Sequence, residues 1–279
     1  MPTRKSSVIK IIGTINGVSH YIAKGKPQTR KSSPPTKDQI YNDPRFASVR
    51  ANNKEFGGAS IISKAICTGL QANVKTFKDR RFTSRLTGIC RKIIQKGGGS
   101  PGQREANLFN DPEALLGFQL HKNKIFSKIF TATPTIAVND PQNTITVTIA
   151  KSTPNNLKQY PKTATHFSLT AAISTVSTHN WHQESQKYQP QHPEQNGLGT
   201  TVHTTPLLCK IEHQNIILQL PTPIKNDSHL TSNYSRLRSQ DSRPKTAITI
   251  WLGISFGKEE NIEFRPFQTA KAMECIGVV

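Results

Sequence analysis

Apolar positions in the first third of the chain are spaced first for a hairpin and then for helices. From about residue 117 onward they fall into short runs spaced for strands. Val8 to Ile15 and Val18 to Ile22 are rich in β-branched residues and flank Asn16-Gly17. An Asn-Gly pair readily takes the two left-handed conformations that a tight hairpin turn demands, so Val8 to Ala23 is predicted as a β-hairpin. The following KGKPQTRKSSPPTK (24–37) is basic and interrupted by proline, and reads as an extended arm or loop.

Asp43-Pro44 opens a helix, with Asp43 as the cap and Pro44 where a missing N–H costs nothing. Phe46, Val49, Phe56, Ile62 and Ile66 are expected to form its apolar side, with Gly57-Gly58 marking a close helix crossing. A second helix is predicted over Asp79 to Lys96, where Phe82, Leu86, Ile89 and Ile93 recur at i, i+4, i+7 and i+11. Lys96 through Gly102 (KGGGSPG) should end it and form a flexible linker. Asp111-Pro112-Glu113 then starts a short helix over Ala114 to Gly117.

Strands are expected at Gly117 to Phe130, Thr144 to Ala150, Ala164 to Thr175, Val202 to Glu212, Ile216 to Leu220, Thr246 to Gly257, Ile262 to Phe267 and Met273 to Val279. Thr144 to Ile149 alternates strictly, as a strand with one buried face must. The polar inserts 183–200 and 225–245 read as surface loops. The predicted class is α+β, an N-terminal β-hairpin and basic helices followed by an antiparallel β-sandwich. The expected division is residues 1–105 and 106–279, with no internal repeat.

Charge sharpens this division. Of the 279 residues, 1–105 hold 21 Lys and Arg against 5 Asp and Glu, a balance of +16, whereas 106–279 hold 16 against 12. Such an excess repels itself in a compact fold, and a polyanion relieves it as phosphates replace small counterions. Nucleic acid is the first candidate partner and an anionic membrane surface the second. Cys67, Cys90, Cys209 and Cys275 are scattered without a CxxC pair and read as reduced, buried thiols. The apolar stretch Val8 to Ile15 is too short and polar for a signal peptide, and Ala247 to Phe256 is too short to span a bilayer. A cytoplasmic protein without membrane association is expected.

The most informative constellation is the cationic helix. Lys78, Arg80, Arg81, Arg85, Arg91, Lys92 and Lys96 could track a phosphate backbone, with Ser84 and Thr87 donating further hydrogen bonds. A merely soluble helix would place acids at i±4, but only Asp79 and the more distant Glu105 are available. Arg30 and Lys31, in the arm Lys24 to Lys37, could lie along nucleic acid or belong to an idle loop. The glycines after Lys96 lack the order of a phosphate loop, which needs Gly before Lys-Ser/Thr and a helix after it. His179, His182, His192 and His203, with Glu184, match no zinc spacing and read as exposed loop histidines. Trp181 and Trp251 read as core or edge aromatics. No His-Glu-x-x-His pattern is present, and no catalytic residue, metal or cofactor is assigned.

NDPRFASVRANNKEFGGA (42–59), KDRRFTSRLTGICRKI (78–93), LLGFQL (115–120), THFSLTAA (165–172) and WLGISF (251–256) resemble landmarks of an uncharacterised family of basic Bacteroidota proteins. The resemblance implies a bacterial source, with a phage or mobile element as its vehicle, and carries over no catalytic residue. The expected function is therefore non-enzymatic binding of a polyanion, nucleic acid first, through phosphate contacts. The alternative is a structural subunit of a virion, filament or other assembly, a homo-oligomer docking through the edge strand Thr144 to Ile149 and the hairpin Val8 to Ile22.

Overall fold

The structure is a computed structural model that describes residues 12–31, 35–139, 143–223, 246–260 and 263–279. The chain divides into two compact units, Met1–Arg50 and Ala51–Val279. In the first, β1 (Gly13–Ile15), β2 (Val18–Ala23) and β3 (Lys26–Lys31) form an antiparallel meander. Both turns use left-handed pairs, Asn16 and Gly17 at φ 47° and 74°, then Lys24 and Gly25 at 52° and 77°. The expected hairpin is present from Gly13 onward, while Val8–Ile11 lie outside the described residues. The expected arm is a correction: Lys24-Gly25 turns the chain back, and Lys26–Lys31 pairs with β2 as an edge strand that tolerates Pro27. Thr36 then caps α1 (Lys37–Asn42) in a capping box with Gln39. Asp43 caps the 3₁₀ turn Pro44–Phe46, which leads into α2 (Ala47–Leu70).

In the second unit the organising element is an antiparallel sheet of five strands. β10 (Leu207–Leu208), β6 (His166–Ser177), β12 (Thr246–Glu260) and β13 (Glu263–Val278) follow one another, and β9 (Gly199–His203) also pairs with β6. β6 and β12 are buried almost throughout, as strands covered on both faces must be. Phe167, Leu169 and Ile173 with Ile250, Leu252 and Ile254 share one core with Ile145, Val147 and Ile149 of a second sheet. That sheet is β11 (His213–Pro221), β5 (Thr144–Ser152) and β4 (Thr135–Asn139), in that order. The alternate positions Ala172, Val176, Trp251, Met273 and Cys275 share the other core with Ile62, Ile66, Leu86 and Ile93 of the helices. The fold is α+β with antiparallel sheets.

This second core explains why the unit boundary falls at Arg50 and not at residue 105. α2, α3 (Ala72–Phe77) and α4 (Phe82–Gln95) lie on the sheet and belong with it. The buried side of α2 is the expected one only in its second half: Ile62 and Ile66 are buried, joined by Ala59, Ala65 and Leu70, whereas Val49 and Phe56 are exposed. Gly58 abuts the Tyr188 ring. Near the end of α2, a Cβ on Gly69 would strike the Leu198 carbonyl and Ser174 Oγ, and one on Gly199 would strike Gly69 itself, so helix and sheet backbones touch there. Gln71 separates α2 from α3 at φ +51°.

Four further expectations are corrected. The segment Gly117 to Phe130 is not one strand: Gly117, Phe118 and Leu120 bond along the outer edge of β13, and α5 (Phe126–Ile129) follows. Asp111-Pro112 starts a single 3₁₀ turn, Pro112–Leu115. Part of the insert 183–200 is ordered by the hairpin of β7 (His179–His182) and β8 (Lys187–Pro190), whose Tyr188 is buried; the insert 225–245 lies outside the described residues. Thr144 to Ile149 is no edge, because β5 is paired on both sides.

The glycine run is equally unlike a flexible linker. Gly97 N–H donates to Ile94, Glu105 N–H to Gly98, and Gly102 N–H, at 2.9 Å, to the carboxylate of Glu55. Glu55 is 1% exposed and also accepts from Arg104 Nη1 at 2.6 Å, while Tyr188 Oη donates to the Arg104 carbonyl. Removing one partner of a buried pair strands the other. Glu55→Ala is expected to cost about 2–4 kcal/mol, read as a lower urea midpoint at unchanged slope, with Glu55→Gln losing less because it still accepts from Gly102.

Candidate nucleic-acid interface

The cationic helix folds because Phe82, Leu86, Cys90, Ile93 and Ile94 supply a buried stripe, with Ile89 half-buried at its margin. The 3.6-residue period then forces Arg81, Ser84, Gly88, Lys92 and Gln95 outward, and all five are exposed. Arg81 and Lys92 stand three turns apart on that stripe, about 16 Å along the axis. Lys78 and Arg80, just before the helix, are exposed as well, as is Lys75 of α3. No ion pair engages Lys78, Arg80, Arg81 or Lys92 among the described residues. Thr87, expected to be a donor, is instead buried at 4% exposure.

Three expected contact residues are committed elsewhere. Arg85 donates through Nη1 to the Gln119 carbonyl at 3.0 Å, and through Nη2 to Asp79 at 2.9 Å and the Leu120 carbonyl at 3.0 Å. Its guanidinium lies 5.1 Å from the centre of the Phe118 ring. Arg85 is thus a clamp that fastens α4 to the segment bordering β13. Asp79 is its counterpart: burial pushes the carboxyl up, but the Lys122 and Arg81 amides and the nearby Arg85 and His121 outweigh this and hold it below its ordinary range. Arg91 donates to Asn52 of α2 at 3.0 Å, and Lys96 pairs with Asp111 at 2.6 Å. The sequence offered Asp79 as the near acid; Asp111 arrives only through folding.

Arg30 and Lys31 stand on β3, every residue of which is exposed. Pairing of Ser19 with Arg30 and of Val18 with Lys31 sends these two adjacent cations to opposite faces of the sheet. Lys26 and Gln28 share the face of Arg30 and were missed as site residues. The period-two alternation of KPQTRK carries that signal, which the proline obscured.

The histidines do not assemble. His182 and His203 are exposed, whereas His179 is wholly buried on β7, a correction to the loop reading. Burial pushes the His179 imidazole down to about 4; the Ser177 backbone offsets a little of this, but neither ring nitrogen reaches hydrogen-bond geometry. Burial likewise raises all four thiols, Cys209 to about 11 and Cys275 to about 12, and all are free. Trp181 lies at the margin of the helix-side core, stacks edge-on against Tyr188 and carries Lys54 Nζ 4.5 Å from a ring centre, while Trp251 is fully buried. Among the described residues no three His, Cys, Asp or Glu side chains could hold a metal ion, and no helix is long and apolar enough to cross a membrane. No family model, curated protein or solved structure matches the chain, so the likeness to Bacteroidota proteins stays a resemblance.

Arg85→Ala should cost about 2–4 kcal/mol in urea unfolding, because it strips a partly buried carboxylate and two carbonyls of their donor, whereas Lys92→Ala should stay within about 0.5 kcal/mol. A neutral buried His179 stabilises the fold fully above the unfolded imidazole value of about 6.5, and that stability drains as pH falls towards 4, by about 3 kcal/mol in all. Stability curves of the wild type and His179→Leu between pH 7 and 4 should therefore diverge, the variant lacking this part of the acid slope.

Proposed function

We propose that this protein binds nucleic acid without catalysing a reaction on it, holding its ligand through phosphate contacts. The observation that carries this reading is the outward row of cations that no ion pair engages among the described residues, at the start and along the open side of α4: Lys78, Arg80, Arg81 and Lys92, joined by Lys75. Charges left in water without carboxylate partners gain most from a polyanion, whose condensed counterions they release. Ser84, exposed on the same stripe, adds a hydroxyl donor of the kind that commonly accompanies Lys and Arg on phosphates. The clamp at Arg85 supports the reading indirectly, because it fixes the helix rigidly enough for its neighbours to keep a constant spacing.

The alternative, a subunit of a larger assembly, now rests on β4, which among the described residues pairs only with β5 and carries the exposed Val138. Light scattering on protein freed of nucleic acid separates the two, since assembly through β4 gives large uniform particles and the binding reading does not require them.

For the first reading, anisotropy of a labelled mixed-sequence oligonucleotide at 50 and 200 mM salt should give a log–log slope of about −4 or steeper. Arg81→Glu with Lys92→Glu should weaken binding at least about tenfold and flatten the slope by about 2. Absence of any complex at 50 mM salt overturns it.

A further inference from the structure

We infer that the polar face of the β1–β2–β3 sheet docks in the major groove of duplex DNA and contacts base edges there. This rests on the nucleic-acid reading above and assigns that reading a ligand class. The register places Thr14, Ser19 and Arg30 in one row, Tyr21 and Gln28 in the next, and Ala23 and Lys26 in the third. Directly paired residues share a face and rows two positions apart return to it, so all seven side chains project to the same side. Six of the seven carry a hydrogen-bonding group, and Thr14 and Ser19 already bond each other across the strands at 3.0 Å. The opposite face holds Ile15, Val18, Ile22 and Pro27, with His20 bonded to Thr29 at 3.2 Å. The two sides therefore differ: one is almost wholly donors, while the other mixes Ile15, Val18, Ile22 and Pro27 with His20, Thr29 and Lys31.

Charge selects the occupant of the polar side. Eight Lys and Arg precede Asp38, the first acid of the chain, and the described strands and turns from Gly13 to Lys31 hold no carboxylate. None of the described residues through Arg50 is buried, and Arg30, Gln28 and Lys26 are exposed to a ligand. Tyr21 is 41% exposed in the middle row.

Dimensions select the form of the nucleic acid. A B-form major groove of about 12 Å admits two strands at about 4.8 Å spacing, so β2 and β3, which carry Ser19, Tyr21, Lys26, Gln28 and Arg30, enter it while β1 stays at its rim. Six residues of β3 run about 20 Å, enough to pass five or six base pairs at about 3.4 Å each. The major groove of duplex RNA is too deep and narrow for such a sheet. Single strands are held largely by successive aromatic platforms, and this face offers Tyr21 alone. In the B-form groove, the fork of Arg30 matches guanine O6 and N7 and the amide of Gln28 matches adenine N6 and N7, while Lys26 supplies a charged donor. Lys24 in the turn and Lys31 on the other face are left for the flanking phosphates.

The test uses the full chain with a selected 20-base-pair duplex DNA, the same sequence as duplex RNA, and the single DNA strand, at one salt concentration. Duplex DNA should bind at least about tenfold more tightly than either competitor. Arg30→Ala and Gln28→Ala should each weaken it about fivefold or more, with Lys31→Ala, an equal loss of charge on the opposite face, changing it less than Arg30→Ala does. Arg30→Lys should keep binding to random DNA but lose preference for the selected site, which separates base contact from charge. Equal affinity for duplex RNA, or equal effects of Arg30→Ala and Lys31→Ala, overturns the groove assignment while leaving phosphate binding by α4 standing. Failure to bind any of the three overturns both.

Discussion

The second unit depends on the double-sided burial of β6 and β12. A strand whose two faces are both apolar needs two covers, and this chain supplies them in different secondary structure: helices on one side, a three-stranded sheet on the other. The alternation along β12 assigns each residue its cover, with Trp251 towards the helices and Ile250 and Leu252 towards the second sheet. A one-residue slip would exchange the two sets and place the Trp251 indole, bonded to Thr249 within the strand, against β5. The close approach of Gly69 to Gly199 holds α2 on this sheet from the other direction, because the contact leaves no room for a side chain on either backbone.

Polar locks then decide which cations remain outside. Arg85 and Arg104 are basic residues consumed by architecture, one bridging α4 to the border of β13 and the other binding the glycine loop to Glu55 of α2. Each spends its charge on a partner within its own chain, so neither can be counted towards a ligand. Among the described residues of α4 and its approach, the cations with no such partner are Arg81 and Lys92, on the stripe that the helical period drives into water, and Lys78 and Arg80 just before the helix. Exposure there follows from the position of the apolar stripe, and position, more than total charge, makes a residue a contact candidate.

Much of the fold was legible because its signals were local. Asn16-Gly17 fixed the first turn, Asp43-Pro44 the entry to α2, and the spacing of Phe82, Leu86 and Ile93 the face of α4, since each depends on residues a few positions apart. What escaped depended on contacts distant in sequence. Arg85 meets Gln119 and Leu120 only through folding, Glu55 meets Gly102 across the length of the helices, and nothing in Tyr188 itself announces that Gly58 has left room for its ring. The third strand was missed for a different reason: Pro27 argued against a ladder, yet on an edge its absent N–H faces no partner. His179 was hidden in the same manner, polar by type and surrounded by polar residues, but carried inward by β7 pairing with β8.

The two cationic surfaces are held by different physics. α4 rests on a core of fully buried side chains, so its stripe keeps its spacing whatever binds it. The N-terminal sheet has no buried residue among those described, and three strands without a buried face are near the limit of what a backbone ladder can sustain in water. Its face is specified almost wholly by two left-handed turns, at Asn16-Gly17 and Lys24-Gly25. These fix the register that sets Arg30, Gln28 and Lys26 on one side and Lys31 and Thr29 on the other; a turn one residue longer would interleave donors with Ile15 and Ile22. The glycines of those turns therefore determine chemistry at a distance, since they decide which side chains a ligand meets without touching it themselves.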